Sequence, residues 1–178
     1  MYHKINSQDS LSFVTLAEAK AQCNLLTSRT IDDDYITSLI SGCCGLAQSY
    51  CNRILMTANV SVSLENYVAQ VQLWGGEISA ITSVTATGVN GDEVTITDHT
   101  FNAISQKLKL PIENAYYFDF VITYDAGYTA IPPQVKQAAL IMISTMYNNR
   151  DDYVTGLTVE KFPLSSIALL NTVKHYVV

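Results

Sequence analysis

The residues best suited to chemistry in this 178-residue chain are three histidines, four cysteines and a run of three aspartates. His3, His99 and His175 stand near one terminus, in a TDHT stretch and near the other terminus, and no H-E-x-x-H spacing joins two of them. Asp98-His99 between Thr97 and Thr100 imitates part of a hydrolytic triad. No G-x-S-x-G supplies a nucleophile, however, and four polar residues in a row read as a turn between strands. Cys23, Cys43, Cys44 and Cys51 contain no C-x-x-C pair, and adjacent helical residues such as Cys43 and Cys44 point about 100° apart. They read as free thiols packed as small hydrophobes in a reducing compartment. Asp32, Asp33 and Asp34 offer carboxylates to a hard cation but lack the alternating D-x-D-x-D-G of a calcium loop. They suit a helix start, where the partial positive charge of free N–H groups favours acids. No glycine-rich loop opens a helix to hold phosphate. The expectation is therefore a chain with no catalytic residues, no metal and no cofactor, hence no enzyme.

Composition points the same way. The chain is 48% apolar and 15% charged, as packed globular proteins are. Acids outnumber bases 16 to 10, and three of the bases are arginine: Arg29, Arg53 and Arg150. Affinity for nucleic acid comes largely from neutralised phosphates, so specific DNA or RNA binding is disfavoured, and an acidic surface near DNA repels it. No uncharged apolar run approaches the ~18 residues that suggest a membrane span. The opening MYHKINSQDS lacks the apolar core of a secretory signal, so the chain is expected to stay in the cytoplasm, and the sequon at Asn59 is read as chance.

Hydrophobic period locates the elements. Thr15 and Glu18 form a T-x-x-E capping box that opens a short helix to about Asn24. From Tyr35, apolar residues at Ile36, Leu39, Ile40, Cys43, Leu46, Ala47, Tyr50 and Ile54 recur every three or four positions, predicting a helix that ends near Arg53. Residues 57–128 switch to a two-residue rhythm. Val60, Val62 and Leu64 alternate with polar residues, as do Val71 and Leu73, and Phe118, Phe120, Ile122 and Tyr124 share one strand face. The phase slips between Ile81 and Val84, which predicts a bulge, and Asn90-Gly91 suits a hairpin. Gly127 precedes a proline-led helix and is expected at positive φ. That helix, Pro133 to about Asn149, is apolar on most sides, with a narrow polar stripe of Gln134, Gln137, Ser144 and Asn148 broken by Ile141. Phe162-Pro163 opens a last helix. The fold class is thus α+β: a small bundle of about four helices, residues 1–56 plus 129–178, interrupted by an antiparallel sheet or small β-sandwich over 57–128.

In order, the segments LAEAKAQCNL (16–25), DDDYITSLISGCCGLAQSYCNRIL (32–55), YDAGYTAIPPQVKQAALIMISTMYNNRDD (124–152) and FPLSSIALL (162–170) resemble the head-tail connector family of tailed bacteriophages. These are portal adaptors or head-completion proteins, here in a long form with a β-insertion, and the segments span about half of the chain. The resemblance implies a virion structural protein, made in the cytoplasm of a bacterial host, that assembles as a twelve-fold ring beneath the portal protein. Such a ring extends the DNA channel, lets DNA pass without specific binding, and docks tail or stopper proteins, with no membrane involved.

A greasy helix needs more cover than a small bundle easily supplies, so it is expected to be buried on most sides, either centrally in its own domain or against another chain. The candidate interface residues are Ile141, Tyr147 and Arg150 at this helix, Tyr153, Val154, Leu157, Val159 and Phe162 in the apolar segment after it, and Tyr176, Val177 and Val178 at the tail. The alternatives are another tail-completion protein, or a small β-containing module gripping glycan or peptide through Trp74, Tyr116 and Tyr117.

Overall fold

The computed structural model describes residues 2–8, 10, 12–150 and 164–175, with Leu164 described by its backbone alone. It forms two compact units, one of Met1–Asp9 with Ile54–Thr129 and one of Ser10–Arg53 with Ala130–Val178. The first holds all the strands and the second all four α-helices described, an α+β fold.

In the β unit, β1 (Tyr2–Gln8), β2 (Ala58–Leu64), β4 (Ile78–Thr87), β5 (Glu93–Thr95) and β8 (Phe118–Ala126) make one antiparallel sheet in the order β1-β2-β8-β4-β5. β3 (Gln70–Gln72), β6 (Thr100–Asn102) and β7 (Lys107–Lys109) make a second, ordered β3-β7-β6. Alternation sets the register. Val60 pairs with Tyr124, Val62 with Ile122 and Leu64 with Phe120, all buried. These pack with Val71, Leu73, Ile96, Leu108 and Leu110 into one core. Tyr124 is wholly buried, its hydroxyl donates to the Trp74 carbonyl at 2.8 Å, and burial pushes its phenol up to about 12. The phase slip appears as a register shift between Ile81 and Ser83, and β4 and β5 form the hairpin expected at Asn90-Gly91.

Residues 2–8, which sequence reasoning groups with the helices, instead pair with β2 as an edge strand. Their side chains are exposed up to Ser7, so no buried/exposed rhythm marks them in the sequence. The strand is held by its backbone ladder, by the Asn6 amide donating to Asn59 and Ser61, and by His3 stacking on Trp74 at 4.4 Å.

In the helical unit, α1 (Leu16–Gln22) begins at Thr15 with the capping box formed in both directions. α2 (Asp33–Cys51) turns Ile36, Ile40, Cys43, Cys44, Ala47 and Cys51 inward. α3 (Pro133–Asn148) buries Val135, Ala138, Ala139, Met142 and Ile143, and only Pro133, Gln134, Gln137 and Asn148 are exposed. The cover comes from this chain: α3 packs on α1, on α2 and on α4 (Leu164–Asn171). Of the two covers the sequence allows, the chain's own helices supply that of the buried residues, while Ile141 and Tyr147 stay half-buried. Among the buried residues of these helices, Ala19, Ala47, Ala138 and Ala139 have short side chains that permit close approach. The cysteines are free and buried, and burial raises their thiols, that of Cys43 to about 11.

Two substitutions test this packing. Gly127 has φ +121°, and a Cβ there would sit 2.7 Å from the Met56 carbonyl oxygen, so Gly127→Val should cost about 3 kcal/mol or more. A thermal melt equal to that of the native protein would refute the backbone clash. Met142 is 2% exposed and Ile141 only half-buried, so Met142→Asp should cost about 4 kcal/mol and Ile141→Asp less than half of that. Equal urea midpoints for the two variants would contradict the placement of these side chains.

Candidate functional site

The aspartate run divides its work at the start of α2. Asp33 lies 2.5 Å from the Nζ of Lys20, a lysine only 3% exposed that also donates to the Thr27 carbonyl. Asp34 is exposed in the first helical turn. Asp32 occupies the N-cap position without capping the helix by its side chain. Its carboxylate instead accepts from the Tyr147 hydroxyl at 3.0 Å and faces Arg29 at 3.1 Å and Arg150 at 3.6 Å.

Arg150 follows the end of α3, and its guanidinium lies over two rings, 4.7 Å from the centre of Tyr35 and 5.4 Å from that of Tyr147. The rings themselves are 6.1 Å apart. Two of the three arginines in the chain thus converge on one carboxylate while staying about half exposed, 51% for Arg29 and 57% for Arg150. An arginine has five N–H donors, so both retain donors for a further acceptor. The Tyr147 hydrogen bond, followed by the two arginines, holds the Asp32 carboxyl below its ordinary range. Burial and the same hydrogen bond push the Tyr147 phenol up.

The turn that carries Arg29 also carries Leu26, 76% exposed, and Ile31, 87% exposed. It is closed by Arg29 N–H donating to the Leu26 carbonyl at 3.0 Å. One turn thus carries two exposed apolar side chains and an arginine that meets Arg150 at Asp32, residue types common in protein-contact anchors.

Of the residues expected at an interface, Tyr147 and Arg150 meet in this cluster. Ile141 lies half-buried in α3, where its carbonyl accepts from Ser144 and Thr145. Tyr153, Val154, Leu157, Val159, Phe162, Tyr176, Val177 and Val178 lie outside the described residues. Sequence reasoning missed Asp32 and Tyr35 as partners of Arg150, and Arg29 as a second cation on Asp32, because the cluster joins residues more than a hundred positions apart. The only local signal is the i,i+3 spacing of Arg29 and Asp32.

The other candidate groups stay apart. His99 Nδ1 meets the Ile96 carbonyl, His175 lies in the helical unit, and among the described residues no three His, Cys, Asp or Glu gather to hold a metal. In the β unit, Tyr116 and Tyr117 share a 2.8 Å hydroxyl contact, while Trp74 is stacked on His3, so the three aromatics do not form a single platform with free faces.

Tyr147→Phe removes the largest cause of the lowered Asp32 pKa and should raise it toward the ordinary carboxylate value. A folded-state pKa below the unfolded one stabilises above the ordinary carboxylate range and is lost as pH falls through the lowered value. The variant should therefore be less stable than the native protein at neutral pH, and its stability should fall less as pH drops through the carboxylate range. Carboxyl NMR titrations that superimpose would show that this hydrogen bond does not control Asp32.

No protein-family description matches the chain, and no curated protein matches it in sequence. Its fold, in contrast, is shared over its whole length with chains of solved particles. The match to a chain in the neck of an empty gene transfer agent (GTA) particle computed with C6 symmetry has a TM-score of 0.75 at 14% identity. It covers 100% of this chain and 97% of the other. A chain of the virion of a native GTA particle gives the same values. The neck of a native GTA particle computed with C12 symmetry gives 0.74 at 13%, again with 100% and 97% covered. The chain is thus similar in fold, from end to end, to protein chains of GTA particles, two of them from the neck.

Proposed function

We propose that this chain is a structural protein of the neck of a phage-like particle, a head-tail connector that forms a ring beneath the portal. The observation that carries the reading is the full-length fold match: both units take part, so the likeness is not that of one common motif. Neck chains whose symmetry is described as C6 and C12 support a ring, and the reading adopts a twelve-fold one. In this role the ring extends the DNA channel and offers a platform to tail or stopper proteins.

The chemistry agrees with a structural role. The polar cluster at Asp32 is built of ion pairs and cation–π contacts, and its residue types are those of interface anchors. A net charge of −6 suits a surface past which DNA slides, since phosphates are repelled and few guanidiniums are present to hold them.

The test is co-purification with the portal and tail proteins encoded beside it, together with native mass spectrometry of the complex. The expected result is a closed ring that binds portal protein and restores tail attachment to particles lacking this gene product. Particles that attach tails equally well without the protein would refute the role.

A further inference from the structure

The charge of the chain is unevenly divided between its units. Residues 1–9 and 54–129 carry nine Asp and Glu against three Lys and no Arg, whereas residues 10–53 and 130–178 carry seven of each sign. The whole net charge of −6 therefore belongs to the β unit. Within it, the stretch from the 3-10 turn Ile112–Asn114 into β8 exposes Ile112 at 69%, Tyr116 at 60% and Phe118 at 37%. Glu113 and Asp119 are exposed in the same stretch and form no ion pair among the described residues. This is an acidic surface with bare apolar and aromatic side chains.

The helical unit presents the complement. Leu26 and Ile31 are exposed on the turn that carries Arg29, and Asp32 holds both Arg29 and Arg150, the latter also over the rings of Tyr35 and Tyr147. From this pairing we infer that the Leu26–Ile31 turn with Arg150 is a docking surface for a second copy of the chain, on the Ile112–Asp119 stretch of that copy. The inference rests on the neck-ring reading, and it supplies the contact such a ring needs. A patch that meets a different patch is a heterologous contact, the kind that repeats around a ring rather than stopping at a dimer. Apolar side chains on both sides would exclude water around the guanidinium–carboxylate pairs, and opposite charge would fix their register. Phosphate is the weaker fit for the arginine patch, because a nucleic acid offers nothing for Leu26 and Ile31 and is repelled by the rest of the molecule.

The test uses the full chain in sedimentation velocity at low and high salt. Arg29→Glu and Glu113→Arg should each weaken self-association by roughly tenfold or more, and the two changes in one chain should restore most of it. All positions altered are exposed, so circular dichroism should show the native fold in every variant. As an independent check, a protein with Ile31→Cys mixed with one carrying Ile112→Cys should form a disulfide between copies under mild oxidation.

Self-association of wild type that both single variants keep, or no self-association even at high concentration, would overturn the inference. So would retention of duplex DNA that Arg29→Glu abolishes without any effect on assembly. The two readings fail separately. Rings that persist in the variants leave the neck role standing, whereas rings lost in the variants, in a protein that cannot restore tail attachment, would keep this contact and refute the role.

Discussion

The helical unit is organised by one constraint: α3 must hide most of its circumference from water. A helix with apolar residues on three sides cannot lie on a surface, so α1, α2 and α4 have to surround it. Small residues make that possible, since alanines at 19, 47, 138 and 139 let the axes approach where leucines would hold them apart. The ion pairs then follow from the packing. Once α1 lies against α3, Glu18 of the capping box can accept from Lys136 at 2.6 Å, and Lys136, with help from Thr15, holds that carboxyl down at about 2. One side chain thus closes the start of α1 and ties it to α3. Both members are more than a third exposed, so the tie contributes specificity of placement more than stability.

The same packing brings the end of α3 to the start of α2, where Tyr147 and Arg150 find Asp32. An acid at an N-cap ordinarily satisfies the helix; here its side chain is given to the neighbouring helix instead, and the first-turn acids Asp33 and Asp34 remain to favour the dipole. Helix packing thus brings Tyr147 and Arg150 to Asp32, while Leu26, Arg29 and Ile31 come from the turn between α1 and α2.

Much of this was legible in the sequence because it follows from period and punctuation. The capping box at Thr15, the proline start of α3, the bulge in β4 and the α+β class all depend on residues within a few positions of one another. Strand β1 was not legible, for it buries almost nothing, and hydrophobic alternation can mark only a strand that has a buried face. Nor was the Asp32 cluster, in which Arg29 and Tyr35 are local but Tyr147 and Arg150 arrive through tertiary structure. The greasy character of α3 was read correctly as burial. Which elements supply its cover was not legible, because composition counts apolar residues but does not show which helices pack against them.

The partition of charge links the fold to the proposed role. A net charge spread evenly over the chain would repel neighbouring copies as well as DNA, and assembly would work against it. Confining it to the β unit leaves the helical unit neutral overall, with Arg29 and Arg150 sharing the one Asp32 carboxylate. Screening at physiological salt limits each field to about 8 Å, so repulsion acts on a phosphate backbone passing close by, while opposite patches attract only when copies are nearly docked. The same acids can therefore discourage DNA from adhering and still leave a neighbouring arginine something to bind. Repulsion of the polymer and attraction between subunits differ in range and geometry rather than in sign alone, and an acidic chain can sustain both.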